Sequence, residues 1–262
     1  MTTQIAVITG ASRGIGRALV DRLSEQGHAV VAIARSGDAL AGLAAETGAL
    51  PYTLDVADPT AVEEVFSRIL SEVGVPDLLV NNAGVSGASG VTWKIPEEDW
   101  WRVVEINLRG AQLCTRAVMA AMLDRGSGRI VNVSSGAAYF PTWEDNDAVL
   151  NSAYMASKAA LIRFTEALAG ECAGTGVTAF SMSPGMVKTD MTAAAFADQW
   201  DDPDLWTPMD KAVDLVDDMG AGVLDRLSGR YFRAAVDDWR ALAARVDEVN
   251  ATDAHALRLR TL

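Results

Sequence analysis

A doubly wound α/β sheet is predicted by three observations. Short apolar runs alternate with longer amphipathic ones, several of the short runs are apolar at every position, and the first leads straight into a glycine-rich turn and a helix. Such alternation is the signature of repeated β-α units, and a strand apolar throughout is one covered on both faces, as in a parallel sheet.

The first strand is expected near 4–9, where Ile5-Ala-Val-Ile8 has no polar face, and its helix near 15–26, carried by the amphipathic Arg17-Ala-Leu-Val-Asp-Arg-Leu23. Strands near 29–34 and 50–54 flank a helix near 38–47, and a helix near 60–73 leads to a fourth strand near 77–81 around Leu78-Leu-Val80. The segment 97–125 reads as a long helix, open to a break, ahead of a fifth strand near 129–134 around Ile130-Val131. A helix near 152–173, a sixth strand near 177–182, a shorter helix near 209–219 and a seventh strand near 230–234 follow. The expectation is one domain over 1–262, with seven parallel strands and helices on both faces. Two stretches interrupt the rhythm, Gly136 to Asn151 and Met186 to Met209. The tail from Asp237, with its basic end at Arg258 and Arg260, suggests no chemistry.

Composition narrows the function classes. With 262 residues, half of them hydrophobic and 22% charged, the chain can bury a large core. A net charge of −13 argues against a general nucleic-acid or anionic-membrane surface, so an anionic ligand must be held locally. The start Met1-Thr-Thr-Gln-Ile has no basic region ahead of a signal-type apolar core, and no apolar run reaches spanning length, so a soluble, cytoplasmic protein is expected. Cys114 and Cys172 fall in helical patterns without metal spacing and read as buried thiols. His28 and His255 are too few and too scattered for a metal site or a Ser-His-Asp triad, and no metal is expected.

Two local patterns carry chemistry. In Thr9-Gly-Ala-Ser-Arg-Gly-Ile-Gly16, glycines between strand and helix let backbone approach a pyrophosphate, while the helix N-terminus offers free N–H groups and partial positive charge. Tight helix-on-sheet packing is the alternative reading of that turn. In Ser152-Ala-Tyr-Met-Ala-Ser-Lys158, Tyr154 and Lys158 stand four apart and share a helix face. A nearby ammonium favours the phenolate, which lowers tyrosine's ordinary pKa of ~10 and fits the phenol for proton transfer.

Six motifs in order resemble the classical short-chain dehydrogenase/reductase family over nearly the whole chain. They are the wide Thr-Gly-x-x-x-Gly-x-Gly turn, Asp55 after the third strand, Asn81-Asn-Ala-Gly84 after the fourth, Asn107 in Glu105-Ile-Asn-Leu108, Ser135 with Tyr154 and Lys158, and Pro184-Gly185 through Thr189. The resemblance implies a Rossmann-type domain and a nicotinamide dinucleotide. Around that cofactor it places Gly10, Ser12, Arg13, Gly14, Ile15, Gly16, Arg35, Asp55 and Val56, then Asn82, Ala83, Gly84, Tyr154, Lys158, Pro184, Gly185, Val187 and Thr189. It further implies that Tyr154 donates or accepts the proton, that Lys158 tunes it and holds the ribose, and that Ser135 binds the substrate oxygen. Asn107 would sit at a helix distortion whose backbone carbonyl and a water link Lys158 to solvent. Ser134 competes for the serine role, and a turn or helix cap is the alternative for Ser135 and Asn107.

Charge chooses between cofactors. An acidic residue at the end of the second strand would accept from the ribose 2′-hydroxyl of NAD and repel the 2′-phosphate of NADP. Ala34 occupies that place and Arg35 follows it, with Arg13 in the glycine turn as a second cation able to pair with phosphate, so NADP(H) is expected over NAD(H). Solvated surface charge is the alternative for both arginines.

The interval from Ser135 to Tyr154 is longer than is usual in the family, and the excess falls in Tyr139 to Asp147. A loop bulging outward is tolerated because closure entropy grows slowly with length. Tyr139, Phe140 or Trp143 would then line the substrate mouth, unless the loop faces solvent. The family's substrate lid corresponds to 186–209, where Met186 and Met191, with Phe196, Trp200 and Trp206, suit a hydrophobic ketone or secondary alcohol. Core or interface packing explains those aromatics equally well. The expected activity is NADP(H)-dependent interconversion of a small-molecule carbonyl and alcohol by a homodimer or homotetramer. The alternatives are a catalytically silent cofactor sensor and a non-redox isomerase or dehydratase.

Overall fold

A computed structural model describes residues 3–140, 151–193 and 196–258. Its strands are β1 Ile5–Thr9, β2 Ala29–Ala34, β3 Leu50–Thr53, β4 Leu78–Asn81, β5 Gly128–Val133, β6 Val177–Ser183 and β7 Tyr231–Arg233. They form one sheet in the order β3-β2-β1-β4-β5-β6-β7, parallel throughout. The order turns back between β1 and β4, so the crevice beyond their C-terminal ends is open to a ligand.

Helices α1 Gly14–Glu25, α2 Gly37–Thr47 and α3 Pro59–Glu72 follow the first three strands. The stretch expected as one helix is α4 Glu97–Val104, a π-helical turn Glu105–Arg109 and α5 Gly110–Arg125. Then come α6 Ser152–Glu171, α7 Asp190–Ala193, α8 Met209–Gly220, α9 Trp239–Ala244 and α10 Val246–Ala251. The two-residue period of a strand sends alternate side chains to opposite layers. From β1, Ala6 and Ile8 join Leu19 and Leu23 of α1, Leu40 of α2 and Val216 of α8. Val7 faces the other way, against Phe66 of α3 and Val118 and Met122 of α5. Cys114 and Cys172 are buried free thiols, and burial pushes Cys114 up to about 12.

Local signals set several helix starts. Ser36 caps α2 by accepting from the Ala39 amide, Asp58 caps α3 by accepting from Thr60 and Ala61, and Asn151 caps α6 by accepting from Tyr154. The last of these fixes where the Tyr154 turn begins. The tail holds α9 and α10 and then lies along the sheet edge, where the His255 carbonyl accepts from the Tyr231 amide and Arg258 pairs with Glu166 of α6. Among the described residues, no helix is long and apolar enough to cross a membrane, and no group of three His, Cys, Asp or Glu could hold a metal ion.

A buried polar chain pins the middle of the sheet to the helices beyond it. The Asn81 amide donates to Thr115 of α5 (3.1 Å) and to Asn132 of β5 (2.8 Å), and the Asn132 amide donates to Thr165 of α6 (2.9 Å). Such groups are costly when one partner is removed, because the survivors stay buried and unpaired. Asn132→Ala is therefore expected to lower stability by about 2–3 kcal/mol in urea denaturation; a loss within about 0.5 kcal/mol, the range of an ordinary surface change, would contradict this account.

Candidate active site

The glycine turn is held at unusually close range. A Cβ on Gly10, whose φ is +66°, would stand 2.9 Å from the Ala83 Cα, and one on Gly16 would run into the Gly10 carbonyl oxygen. Asn82 closes this contact by donating from its amide to the carbonyls of Thr9 (2.9 Å) and Gly10 (3.2 Å). In return the Thr9 hydroxyl accepts from the backbone amides of Asn82 (3.1 Å) and Ala83 (3.0 Å). Thr9 thus fixes the end of β4 against the turn, a role its place beside Gly10 foreshadows but its residue type does not.

Helix α1 starts without a side-chain cap, unlike α2, α3 and α6, and it has no acidic residue in its first turn. Its first N–H groups therefore open into the cleft where a phosphate would satisfy them. A cradle that only glycine can form, ending in an uncapped helix N-terminus, fits a dinucleotide pyrophosphate.

One cleft collects most of the residues singled out from sequence. It is lined by Gly10, Ser12, Arg13, Gly14, Ile15, Arg35, Asp55, Val56, Asn82, Ala83, Gly84, Tyr154, Lys158, Pro184, Thr189 and Met191. Ile33, Ala34, Leu54, Val85, Ile106, Val133, Ser134 and Asp190 complete the wall, which Ser135 does not join. Most of these eight are ordinary strand-end or helix residues that no motif marks. Gly16 lies beneath the turn, the Val187 side chain is buried in the core, and Gly185 packs on Thr207.

No carboxylate stands at the end of β2, where Ala34 is buried and Arg35 exposed. Arg13 reaches across the cleft mouth to Asp190, 3.0 Å away, with both side chains about 70% exposed, an arrangement that a competing phosphate can open cheaply. Asp55 accepts from the Ala57 amide (3.0 Å) and from Arg102 (2.6 Å). Partial burial pushes its carboxyl up, but the Ala57 amide, Arg102 and the charge of Arg35 outweigh that and hold it below its ordinary value.

At the other end, Ser135 follows β5, and Tyr154 and Lys158 share one face of α6, the Lys158 Nζ standing 5.7 Å from the Tyr154 ring centroid. Ser134 lines the cleft but is 2% exposed, and its hydroxyl donates to the Lys158 carbonyl (2.9 Å). The Ser135 hydroxyl caps the short 136–138 turn by accepting from the Ala137 amide (3.2 Å), and it stands near enough to the Tyr154 phenol to favour the phenolate.

The charges differ from expectation. Burial pushes the Tyr154 phenol above its ordinary value, and the neighbouring Ser135 hydroxyl pulls the other way. The Lys158 ammonium is itself desolvated: it is 4% exposed, donates to the Val133 carbonyl (2.7 Å), and burial lowers it to about 8.

Asn107 lies in the π-helical turn and is 1% exposed. Its side chain accepts from the Val85 amide and donates to the Val85 carbonyl, both at 2.9 Å, and donates to Ser157 (3.1 Å), whose hydroxyl donates to the Tyr154 carbonyl (2.8 Å). A Cβ on Gly84 would meet Asn107 Oδ1 at 3.2 Å and Lys158 Nζ at 3.5 Å. Ser157, which no motif singles out, thus joins Asn107 to the tyrosine turn.

The substrate side departs further from expectation. Met191 reaches the cleft, but the lid aromatics pack on one another: Trp200 and Trp206 meet edge to face at 5.0 Å, Phe196 packs on Trp206 at 6.3 Å, and Lys188 lies over both indoles. Met186 does not line the cleft; its carbonyl accepts from the Thr207 amide (2.7 Å) and ties the lid's two ends together. Tyr139 packs edge to face on Tyr231, and Phe140 covers Gly136. Trp143 lies outside the described residues.

A family model described as short chain dehydrogenase matches residues 4–200. A short chain dehydrogenase of Pseudocercospora fijiensis is 38% identical over 194 residues, 72% of this chain but only 61% of that protein's length. An NADPH-dependent pterin aldehyde reductase of Arabidopsis thaliana is 34% identical over 229 residues, 85% of this chain and 91% of the relative. Among solved structures, a ribose-5-phosphate isomerase from Brucella melitensis superposes with a TM-score of 0.81 at 29% identity, covering 99% of this chain and 98% of that one. A single-site variant of actinorhodin polyketide ketoreductase with NADPH gives 0.80 at 29% identity, covering 88% and 95%. By sequence, fold and site geometry alike, the chain belongs to the short-chain dehydrogenase/reductase family of oxidoreductases.

Proposed function

We propose that this protein is an NADP(H)-dependent oxidoreductase that interconverts a ketone or aldehyde and its alcohol. The observation that carries the reading is a cleft with Tyr154 and Lys158 at one end and the uncapped glycine turn at the other, with Ser135 beside the Tyr154 phenol. A nicotinamide dinucleotide bound there supplies or accepts the hydride. Gly14 and Ile15 would hold its pyrophosphate on backbone amides, while Arg13 and Arg35 would take a 2′-phosphate that no carboxylate repels. An NADPH-dependent relative and an NADPH-bound structural neighbour support that choice.

The proton is the protein's task. A phenol held above its ordinary value is protonated at neutral pH, which suits Tyr154 to donate to a carbonyl oxygen as charge develops there. Ser135 would share that oxygen and position it. Lys158, whose pKa near 8 lies close to working pH, would hold ribose hydroxyls and return a proton to Tyr154. Asn107 would keep Tyr154 in place through Ser157. The ribose-5-phosphate isomerase among the structural neighbours supports a non-redox reaction as the second reading, which product analysis separates.

Cofactor consumption with a panel of ketones and aldehydes tests the proposal. NADPH should be used in preference to NADH, and Tyr154→Phe should cut kcat by about 10²–10⁴-fold; turnover that prefers NADH, or that survives in Tyr154→Phe, would sink it.

Lys158 makes a second prediction through linkage. Its folded pKa of about 8 lies below its unfolded value, so between pH 8 and about 10.5 the unfolded chain binds more protons and stability rises with pH. Across that window wild type should gain up to about 3 kcal/mol relative to Lys158→Met, and nothing below it. Parallel urea curves for the two proteins at pH 7 and pH 10 would contradict the depressed value.

A further inference from the structure

Strand β7 ends the sheet, and an edge strand carries outward N–H and C=O groups that another chain can use. Its neighbour β6 takes the groups on the inner side: the Arg230 carbonyl accepts from the Ser181 amide, and the Ala234 amide donates to the Ser183 carbonyl. The backbone groups of Tyr231 and Arg233 face the other way, and all four are bound within the chain. The Tyr231 amide donates to the His255 carbonyl (2.8 Å), and the Tyr231 carbonyl stands 3.0 Å from His255 Nδ1, so one residue closes both. The Arg233 amide donates to the Asp237 carboxylate (2.7 Å), and the Arg233 carbonyl accepts from the amides of Val236 (3.1 Å) and Asp237 (2.9 Å).

The segment that brings His255 to this edge is anchored at both ends. Arg230 donates to Asp253 (2.6 Å) and to the Ala254 carbonyl (3.1 Å), and Arg258 forks onto Glu166 of α6 at 2.6 and 3.0 Å. Between the anchors the His255 ring stacks on Phe232, with centroids 5.7 Å apart. Asp253 and His255 have φ of +51° and +59°, a left-handed backbone that residues other than glycine adopt at a cost. The tail bears that cost twice within three residues in order to lie on the strand.

We propose that residues 253–258 are a latch that closes the β7 edge against pairing with β7 of a second copy of this chain. Two such edges are self-complementary about a two-fold axis: run antiparallel, the outward amides and carbonyls of each strand meet those of the other, and the sheet continues through both molecules. The bared edge is flanked by Arg230 and, beside Gly229, by Glu166, so it carries both signs of charge and does not repel its own copy as a rim of one sign would. With the latch in place the same groups are spent inside one molecule. The inference is independent of the chemistry of the cleft.

The test is sedimentation velocity on the full chain and on a chain ending at Thr252, at equal concentration, with circular dichroism and hydrogen exchange of the Tyr231 amide alongside. Removing the latch should speed exchange at Tyr231 and double the mass of the wild-type particle. Adding Arg233→Pro to the shortened chain should return the mass to the wild-type value, because proline removes an outward amide and is tolerated on a sheet edge. An unchanged mass in the shortened chain would overturn the proposal. A doubled mass that survives Arg233→Pro would do so too, since it places the contact on another surface. Should circular dichroism show that the shortened chain does not fold, the full chain carrying Arg230→Ala and Arg258→Ala, which loosens both anchors, is read against the same two outcomes.

Discussion

The contact on which the rest depends is the clamp between the glycine turn and the end of β4. Asn82 holds the carbonyls of Thr9 and Gly10, while Thr9 holds the amides of Asn82 and Ala83, so two neighbouring strands end at one fixed separation. That separation lies at the point where the sheet order turns back. It leaves a crevice with backbone N–H groups on one side and the start of the Val85 loop on the other. Because Val85 is held by Asn107, and Asn107 by Ser157 of the tyrosine helix, the same clamp sets the floor for both ends of the cleft. Glycine at 10 and 16 is a steric condition of that arrangement rather than a source of flexibility.

Burial gives the other end its chemistry. Tyr154 and Lys158 are both desolvated, and burial moves them in opposite directions, the phenol up and the ammonium down. Each shift favours the neutral form, so a proton passed between the two is governed by their surroundings rather than by their values in water. The sequence pattern correctly pairs them on one helix face, but it suggests a phenol activated by charge, whereas the folded protein gives a phenol kept protonated by its surroundings.

Strands were legible because they are covered on both faces: Ile5-Ala-Val-Ile8 and Leu78-Leu-Val80 have no polar face, as a central parallel strand requires. The cradle was legible because it is local, with Gly10, Gly14, Gly16 and Arg13 close together in the chain. What sequence left open depends on partners far apart. The π-helical turn at 105–109 arises where Asn107 is drawn to Val85 and Ser157, and no helical periodicity announces it. Arg102 reads as a surface helix charge until the fold brings it to Asp55. The tail had no visible partner, yet Arg258 reaches Glu166 across 92 positions and His255 closes the β7 edge. In the lid, composition promised aromatic contacts without saying with what, and Trp200, Trp206 and Phe196 chose one another.

The central claim is that the clamp builds a dinucleotide cleft that delivers a cofactor to Tyr154. A crystal structure with NADP bound tests it most directly. The account predicts the pyrophosphate on the amides of Gly14 and Ile15, the 2′-phosphate between Arg13 and Arg35, and the nicotinamide ring facing the Tyr154 hydroxyl. A cofactor whose pyrophosphate lies away from the glycine turn, or whose nicotinamide points away from Tyr154, would contradict it.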